Sequence, residues 1–165
     1  MGIREANIKD FPELMKISGE DGFEHPRKVS LLWMQNRYIY GDRFYLFEAS
    51  TEKSDDSLSL SHKKCAQDGK ILGFICFQPQ FSDGSRLHFI AVRKSEQGKG
   101  VGTALIEEAE KMTQHHEKKK LYLWVHEKNK NAIRFYLKHE FDFSGIFLNK
   151  YGEGENALLM VKELD

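Results

Sequence analysis

The segment Leu87–Met112, LHFIAVRKSEQGKGVGTALIEEAEKM, constrains the fold more than any other part of this 165-residue chain. An apolar run of strand character, Leu87–Val92, meets a short turn carrying Gly98, Gly100 and Gly102. That turn opens directly into an amphipathic helical pattern, Gly100–Gln114. A strand, turn and helix joined in this way aim a row of backbone N–H groups, with the positive end of a helix dipole, at one place. Such a place binds a phosphate or pyrophosphate without a metal or a cationic side chain.

Two common phosphate loops fail on the residues. A Walker A loop needs GxxxxGK[ST], but Gly102 is followed by Thr103 and Ala104, so its lysine is missing. A dinucleotide-binding GxGxxG fails as well: counted from Gly98 the sixth position is Thr103, and from Gly100 it is Leu105. A tight strand–helix turn with no ligand stays open as the plain alternative.

The rest of the chain reads as one α/β domain over residues 1–165. The pattern predicts a strand at Ile3–Ala6 and a helix opened by Asp10, with Pro12 early and Leu14, Met15 and Ile17 on its apolar face. A loop at Ser18–His25, a second helix at Pro26–Tyr40 and an aromatic strand at Arg43–Ala49 follow. Ser50–Gly69 is rich in serine and charge and reads as a long, partly mobile hairpin insertion. Beyond it come a strand at Ile71–Gln78, a turn at Phe81–Arg86, the Leu87–Gln114 unit and a strand at Leu121–Val125. A short helix at Asn131–Lys138 and closing strands at Phe141–Leu148 and Ala157–Lys162 end the pattern.

Lys plus Arg and Asp plus Glu both number 25, giving a formal net charge of zero. That balance argues against a nucleic-acid or membrane-surface partner, which calls for a basic excess. No apolar run is long enough to span a bilayer and the charged N-terminus lacks a signal core, so the expected compartment is the cytoplasm. Cys65 and Cys76 form no CxxC pair, and Cys76 reads as a small core residue. His115, His116 and the lysines at 118–120 have no metal-ligand spacing and read as a solvated helix end, so no metal is expected.

One pattern does fit the glycine turn. Gln97-Gly98-Lys99-Gly100-Val101-Gly102, directly after a strand ending in Ala-Val, resembles the Q/R-x-x-G-x-G/A signature of the GNAT superfamily of acyl-CoA N-acyltransferases. Asn129-Lys130-Asn131-Ala132-Ile133-Arg134-Phe135-Tyr136 resembles the N-x-x-A-x-x-x-Y segment of that family, in the right place after the next strand. The resemblance spans nearly the whole chain. It implies a mixed, mostly antiparallel sheet of about seven strands, flanked by about four helices and splayed between the fourth and fifth strands.

It also implies acetyl-CoA as co-substrate, its pyrophosphate on the N–H groups from Gly98 through Lys99, Gly100, Val101 and Gly102 to Thr103, beside Gln97. The pantetheine arm would pair with the strand edge at Ile90, Ala91 and Val92, and an N–H near Ile90 would face the oxyanion. Asn129 and Asn131 belong to the implied cofactor site, and Tyr136 would protonate the departing thiolate. Asn129 as a plain helix cap and Tyr136 as a half-buried core aromatic remain open. Lys99, Arg93 and Lys94 either favour the 3′-phosphate or belong to a solvated loop.

Aminolysis needs a neutral amine, so a base is expected, most strongly for a lysine acceptor. His88 is the candidate, read as alternating opposite to Leu87 and Phe89; a histidine satisfied in a sheet face is its rival reading. Members that act on protein N-termini carry a glutamate where Trp124 stands here, which leaves Glu127 and His126 as fallback bases. Glu140 stands where the family has glycine before Phe141, so this turn must avoid or tolerate a left-handed backbone.

The resemblance implies a primary amine as acceptor: a peptide N-terminus, a lysine, a polyamine or another small amine. Tyr151 and Glu153 in the closing hairpin resemble residues that hold a peptide, although a plain glycine-turned hairpin fits equally. Glu20, Asp21 and Glu24 would suit a cationic acceptor. The chain is expected as a monomer or homodimer. A catalytically idle acyl-CoA-binding module and a nucleotide-phosphate-binding regulator are the competing functions.

Overall fold

A computed structural model describes residues 2–20, 34–35, 37–38, 41–49 and 69–165. Most of the expected second helix, most of the Ser50–Gly69 insertion, Asp21, Glu24 and Cys65 therefore lie outside the described residues. Met34, Gln35, Arg37 and Tyr38 are helical.

The described elements are β1 (Gly2–Glu5), α1 (Phe11–Ser18), β2 (Arg43–Glu48), β3 (Ile71–Phe81), β4 (Gly84–Val92), α2 (Val101–His115), β5 (Lys120–His126), α3 (Lys130–Lys138), β6 (Asp142–Gly152) and β7 (Glu155–Glu163). The seven strands form one sheet in the order β1-β2-β3-β4-β5-β7-β6. Every neighbouring pair is antiparallel except β4 and β5. This is the expected mixed sheet, with three α-helices among the described residues.

Apolar clusters cover both faces. On one, Leu105, Ile106 and Ala109 of α2 pack with Leu87, Leu121, Leu123, Val125 and Met160. On the other, Phe11, Leu14 and Ile17 of α1 pack with Phe44, Leu46, Phe74 and Phe89. The sheet is thus buried between helices, which explains why β3 reads ILGFICF with no polar alternation. Burial of each large side chain contributes on the order of 1.5–3 kcal/mol. Cys76 lies fully buried in the α1-side cluster, as expected for a core thiol.

Two boundaries differ from the sequence pattern. The expected turn at Phe81–Arg86 narrows to Ser82 and Asp83, because Phe81 pairs with Gly84 and β4 begins there. Gly84 lies so close to β5 that an added Cβ would stand 2.3 Å from the Lys120 carbonyl oxygen. The strand can start here because its first residue has no side chain. The closing hairpin is also longer than expected. Asn149 Oδ1 accepts the Gly154 N–H at 2.8 Å and Asn156 Oδ1 accepts the Asn149 N–H at 2.9 Å, extending the paired strands outward.

Alternation along β4 breaks at His88. Cys76 pairs with Phe89 and Phe77 with Leu87, so His88 is an extra residue opposite that step of β3. Such a bulge flips the faces that follow. Leu87 packs in the α2 cluster and Phe89 in the α1 cluster, so the expectation that both lie opposite His88 does not hold.

Helix α3 ends in a Schellman motif: the Phe141 N–H bonds the Tyr136 carbonyl and the Glu140 N–H bonds the Leu137 carbonyl, both at 3.1 Å. Glu140 takes the left-handed position, with φ of 64°, so the turn tolerates the conformation that its side chain disfavours. Phe141 is buried against the Tyr136 ring at 5.7 Å between centroids. The side chain of Glu140 is exposed and meets only Lys162 at 3.3 Å, a weak compensation. Glu140→Gly should therefore stabilise the protein by roughly 1 kcal/mol, read as a higher denaturation midpoint with unchanged slope. A lower midpoint would show that the side chain supplies more than its backbone strain costs.

Candidate active site

The parallel ladder between β4 and β5 is short: Ser85 pairs with Leu121, Arg86 with Tyr122 and Leu87 with Leu123. Pairing stops at the His88 bulge, and from there the two strands part. The gap opens into a cleft of about 750 Å³, walled by Ile90, Ala91 and Val92 of β4 and by Val125 and His126 of β5. The edge of β4 that faces the gap carries no ladder to β5, so an extended amide-bearing chain can use it as a strand would.

The glycine turn closes one end of this cleft. Gly98 and Gly100 have φ of 76° and 85°, and an added Cβ at either would touch nothing within 4 Å. Their backbone faces open space, as a cradle requires. Gly100 is the N-cap of α2 and offers no capping side chain, which leaves the first-turn N–H groups of a 15-residue helix without a side-chain cap. Gln97 Nε2 donates to the Val92 carbonyl at 3.2 Å and ties the turn back to the end of β4.

Most of the expected site residues meet here: His88, Ile90, Ala91, Val92, Gln97, Gly98, Gly100, Gly102, Thr103, Asn129, Asn131 and Tyr136 all line the cleft. Two do not. Val101 is buried in the α2 cluster, and Lys99 is exposed and paired with Glu96 at 3.2 Å. Arg93 is turned away, its guanidinium held by Glu13, by Glu20 at 3.1 Å and by the Ile71 carbonyl at 2.7 Å. Glu20 is occupied by the same arginine and by the Lys94 N–H, so it is not directed at an acceptor.

The cations that do line the cleft are Lys128, Lys130 and Lys138, with His139 beside them. His139 Nδ1 donates to the Phe135 carbonyl at 2.8 Å, and Nε2 lies 3.0 Å from the Thr103 hydroxyl, joining the end of α3 to the start of α2. Nothing in the sequence singles these groups out, because Lys130 and Lys138 are the end residues of α3 and Lys128 and His139 lie just outside it, where solvated charges are ordinary.

Asn129 caps α3, its side-chain oxygen accepting the Ala132 N–H at 3.1 Å, while it also lines the cleft. Tyr136 is buried by helix α3 packing, and burial raises its phenol above the ordinary value, so it stays a proton donor at neutral pH.

His88 is placed at the cleft but is not poised as a free base. Its side chain is 5% exposed. Nε2 lies 3.1 Å from Arg37 Nη1, 3.1 Å from the Gln78 side-chain amide and 3.4 Å from Asp42 Oδ2. Burial, then Arg86, Arg37 and Lys150, hold its pKa down to about 3. The fallback His126 accepts the Lys128 N–H at Nδ1, 3.1 Å, and pairs through Nε2 with Glu155. Both of its ring nitrogens are engaged. Glu127 accepts from Asn156 Nδ2 at 3.0 Å and does not line the cleft.

The buried His88 has a pH consequence. An unfolded histidine titrates near 6.5, above the folded value, so the unfolded chain binds the extra proton. Stability from this group is complete above pH 6.5 and falls on acidification toward pH 3, by up to about 1.4 kcal/mol per pH unit. Denaturant unfolding from about pH 7 to about pH 5, above the carboxylate range, should show His88→Gln losing less stability than the parent. Equal losses would mean that His88 titrates normally.

Comparison with known proteins agrees with this geometry. The chain is 31% identical over 83 residues to the uncharacterized protein YdhI of Bacillus subtilis, a match spanning 50% of each chain. It is 27% identical over 167 residues to the uncharacterized N-acetyltransferase MJ1530 of Methanocaldococcus jannaschii, spanning 99% of this chain and 92% of that one. Among solved structures, Ard1 from Thermoplasma volcanium superposes with a TM-score of 0.76 at 21% identity, over 99% and 97% of the two chains. The ribosomal-protein-S18-alanine N-acetyltransferase of Escherichia coli gives 0.73 at 21% identity, over 99% and 94%. A model of the acetyltransferase (GNAT) family matches residues 25–141, a span that includes the glycine turn, the splayed strands and Tyr136. The chain therefore belongs to the GNAT acetyltransferase family.

Proposed function

We propose that the protein transfers the acetyl group of acetyl-CoA to a primary amine by direct attack of the amine in a ternary complex. The observation that carries this reading is the continuity of one cleft, which joins a bare glycine cradle, an unpaired strand edge and the Tyr136 side chain. A related fold, YncA from Salmonella typhimurium, was solved with acetyl-CoA as its cofactor and superposes with a TM-score of 0.66 at 18% identity, over 100% and 94% of the chains.

In this reading the backbone N–H groups from Gly98 to Thr103 hold the pyrophosphate, and Lys130 and Lys138 add positive charge at the same end of the cleft. The β4 edge at Ile90–Val92 holds the pantetheine amides. Acetyl-CoA supplies a thioester carbonyl already activated for attack. A β4 N–H near Ile90 then meets the negative charge that grows on the carbonyl oxygen, where a preorganised donor contributes most. Tyr136 donates its phenolic proton to the departing sulfur. His88 keeps a neutral ring beside the attacking amine. Direct proton removal by His88 is disfavoured by its low pKa, and the amine loses its proton to solvent or through the Gln78–His88 pair.

Two variants test the assignments. Tyr136→Phe should lower turnover by about 10²-fold while acetyl-CoA affinity, measured by calorimetry, changes little; unchanged turnover would remove Tyr136 from its role. Gly100→Val should weaken acetyl-CoA binding by roughly tenfold or more, because it forces a β-branched residue to a positive φ and fills the cradle. Unaltered affinity would refute the pyrophosphate assignment. Thiol release on mixing acetyl-CoA with a panel of amines is the test of the reaction itself. Tight binding without release across the panel would instead support the idle acyl-CoA-binding module.

A further inference from the structure

Arg86 is the one arginine of the described strands that makes no ion pair among the described residues. It projects from β4 two residues before His88, on the face that carries Gln78 and Tyr122 across from it. Its guanidinium lies 3.6 Å from the centroid of the Trp124 ring and 5.3 Å from that of Phe81. No carboxylate, carbonyl or hydroxyl among the described residues accepts a hydrogen bond from it. Its Nε is sealed from solvent and unpartnered.

The neighbouring ring presents a second unpaired donor, because Trp124 Nε1 is also buried without a partner. Trp124 lines the cleft together with His88. Lys150 stands 4.5 Å from the centroid of the same ring, and Phe81 and Phe147 meet its edges at 5.2 and 5.6 Å. Among the described residues, the charges that bear on this corner are Arg37, Arg86, Lys150 and Asp42; the Asp42 carboxylate is paired with Arg37 at 3.1 Å and also attracts Arg86, and Arg37 and Lys150 have other interactions besides. Buried arginines are ordinarily satisfied by carboxylate, phosphate or carbonyl oxygen, and a stacked, fork-shaped guanidinium suits a planar carboxylate. Arg86 does not itself line the cleft but is stacked on Trp124, which does, and a guanidinium without an acceptor in that place suits an anionic ligand.

We propose that the acceptor amine carries a carboxylate, which Arg86 binds in bidentate fashion against the Trp124 ring so that the amine faces the parted strands. The proposal rests on the acetyl-transfer reading and narrows its acceptor from amines in general to amino acids, or to peptides with an acidic side chain near a free N-terminus. Polyamines would meet Arg86 and Lys150 as like charges.

The experiment is thiol release at saturating acetyl-CoA with matched acceptors: free amino acids, the same amino acids as amides, the decarboxylated amines, spermidine, and short peptides with aspartate or asparagine at the second position. The expected result is a kcat/KM at least about tenfold higher for a carboxylate-bearing acceptor than for its matched neutral partner. The amide has the less basic amine, so intrinsic reactivity alone would favour the opposite order. A preference among free amino acids identifies the α-carboxylate; a preference for aspartate over asparagine peptides identifies a side chain.

Arg86→Met should raise KM for the carboxylate acceptor by about tenfold, with kcat little changed and the amide unaffected; Arg86→Lys should restore part of the loss. Independently of any variant, the deaminated carboxylate of the preferred acceptor should inhibit the parent protein competitively against the amine. Equal or better use of the amide, the decarboxylated amine or spermidine overturns the proposal while leaving acetyl transfer intact. Thiol release with none of the acceptors overturns the acetyl-transfer reading and this proposal with it.

Discussion

The one-residue bulge at His88 is the feature on which the site depends. Upstream of it, β4 is held between β3 and β5 and carries Leu87 into the core against α2. Downstream, β4 keeps its ladder with β3 but has lost β5, and Phe89 has crossed to the face covered by α1. An extra residue in one strand bends it and increases its local twist. Here the bend leaves backbone groups of one strand facing a gap instead of a neighbour. The gap is kept open from the far side, since β5 runs on against β7 through seven consecutive pairs and cannot follow β4. The cleft is therefore a consequence of register, fixed by two ladders that continue while the one between them stops.

Charge divides the cleft into two ends with different tasks. The turn end has the N-terminus of α2, backbone donors at positive-φ glycines and lysines from around α3, an arrangement that meets phosphate with little desolvation of fixed charge. Beside the other end Arg86 is partly buried against the Trp124 and Phe81 rings, where its charge is less screened and its interactions are stronger. That corner also explains His88. A ring so close to Arg37 and Arg86, and so little exposed, stays neutral, and the same cations that keep it neutral would suit an anionic partner.

The glycine turn and the Asn129–Tyr136 segment were legible in the sequence because each is a local backbone requirement written in a few adjacent residues. The core strands were equally legible, because burial on both faces leaves runs such as Ile71–Phe77 with no polar residue. His88 was misread for a definite reason. Strict alternation assigns a face by counting, and a bulge changes the count without any local residue that demands it. Arg93 and Glu20 looked available because the two lie far apart in the chain, and only folding brings α1 and the end of β4 together. The role of Arg86 was invisible for a related reason: what distinguishes it is the absence of a partner, and absence becomes visible only when all neighbours are placed.

Among the described residues, the buried side-chain N–H groups without partners lie together: they are Arg86 Nε and Trp124 Nε1, with the guanidinium stacked on the indole ring. Backbone groups lack a side-chain cap at the start of α2 and a β5 ladder along the parted edge of β4. Several other ends are closed: Asn129 caps α3, the Asn7–Asp10 box caps the turn before α1, and a Schellman motif closes α3 even though Glu140 must adopt a left-handed backbone to complete it. Each unpaired donor costs stability, and a fold that tolerates strain to avoid such costs at its helix ends would be expected to remove them from the cleft as well. Arg86 and Trp124 keep theirs beside the cleft, where an anionic ligand on the guanidinium would offset part of that cost. The same reasoning links the two ends of the cleft. A ligand that satisfies the backbone donors at the turn and another that satisfies the guanidinium at Trp124 would approach each other across the β4 edge, where the acyl group and the amine must meet.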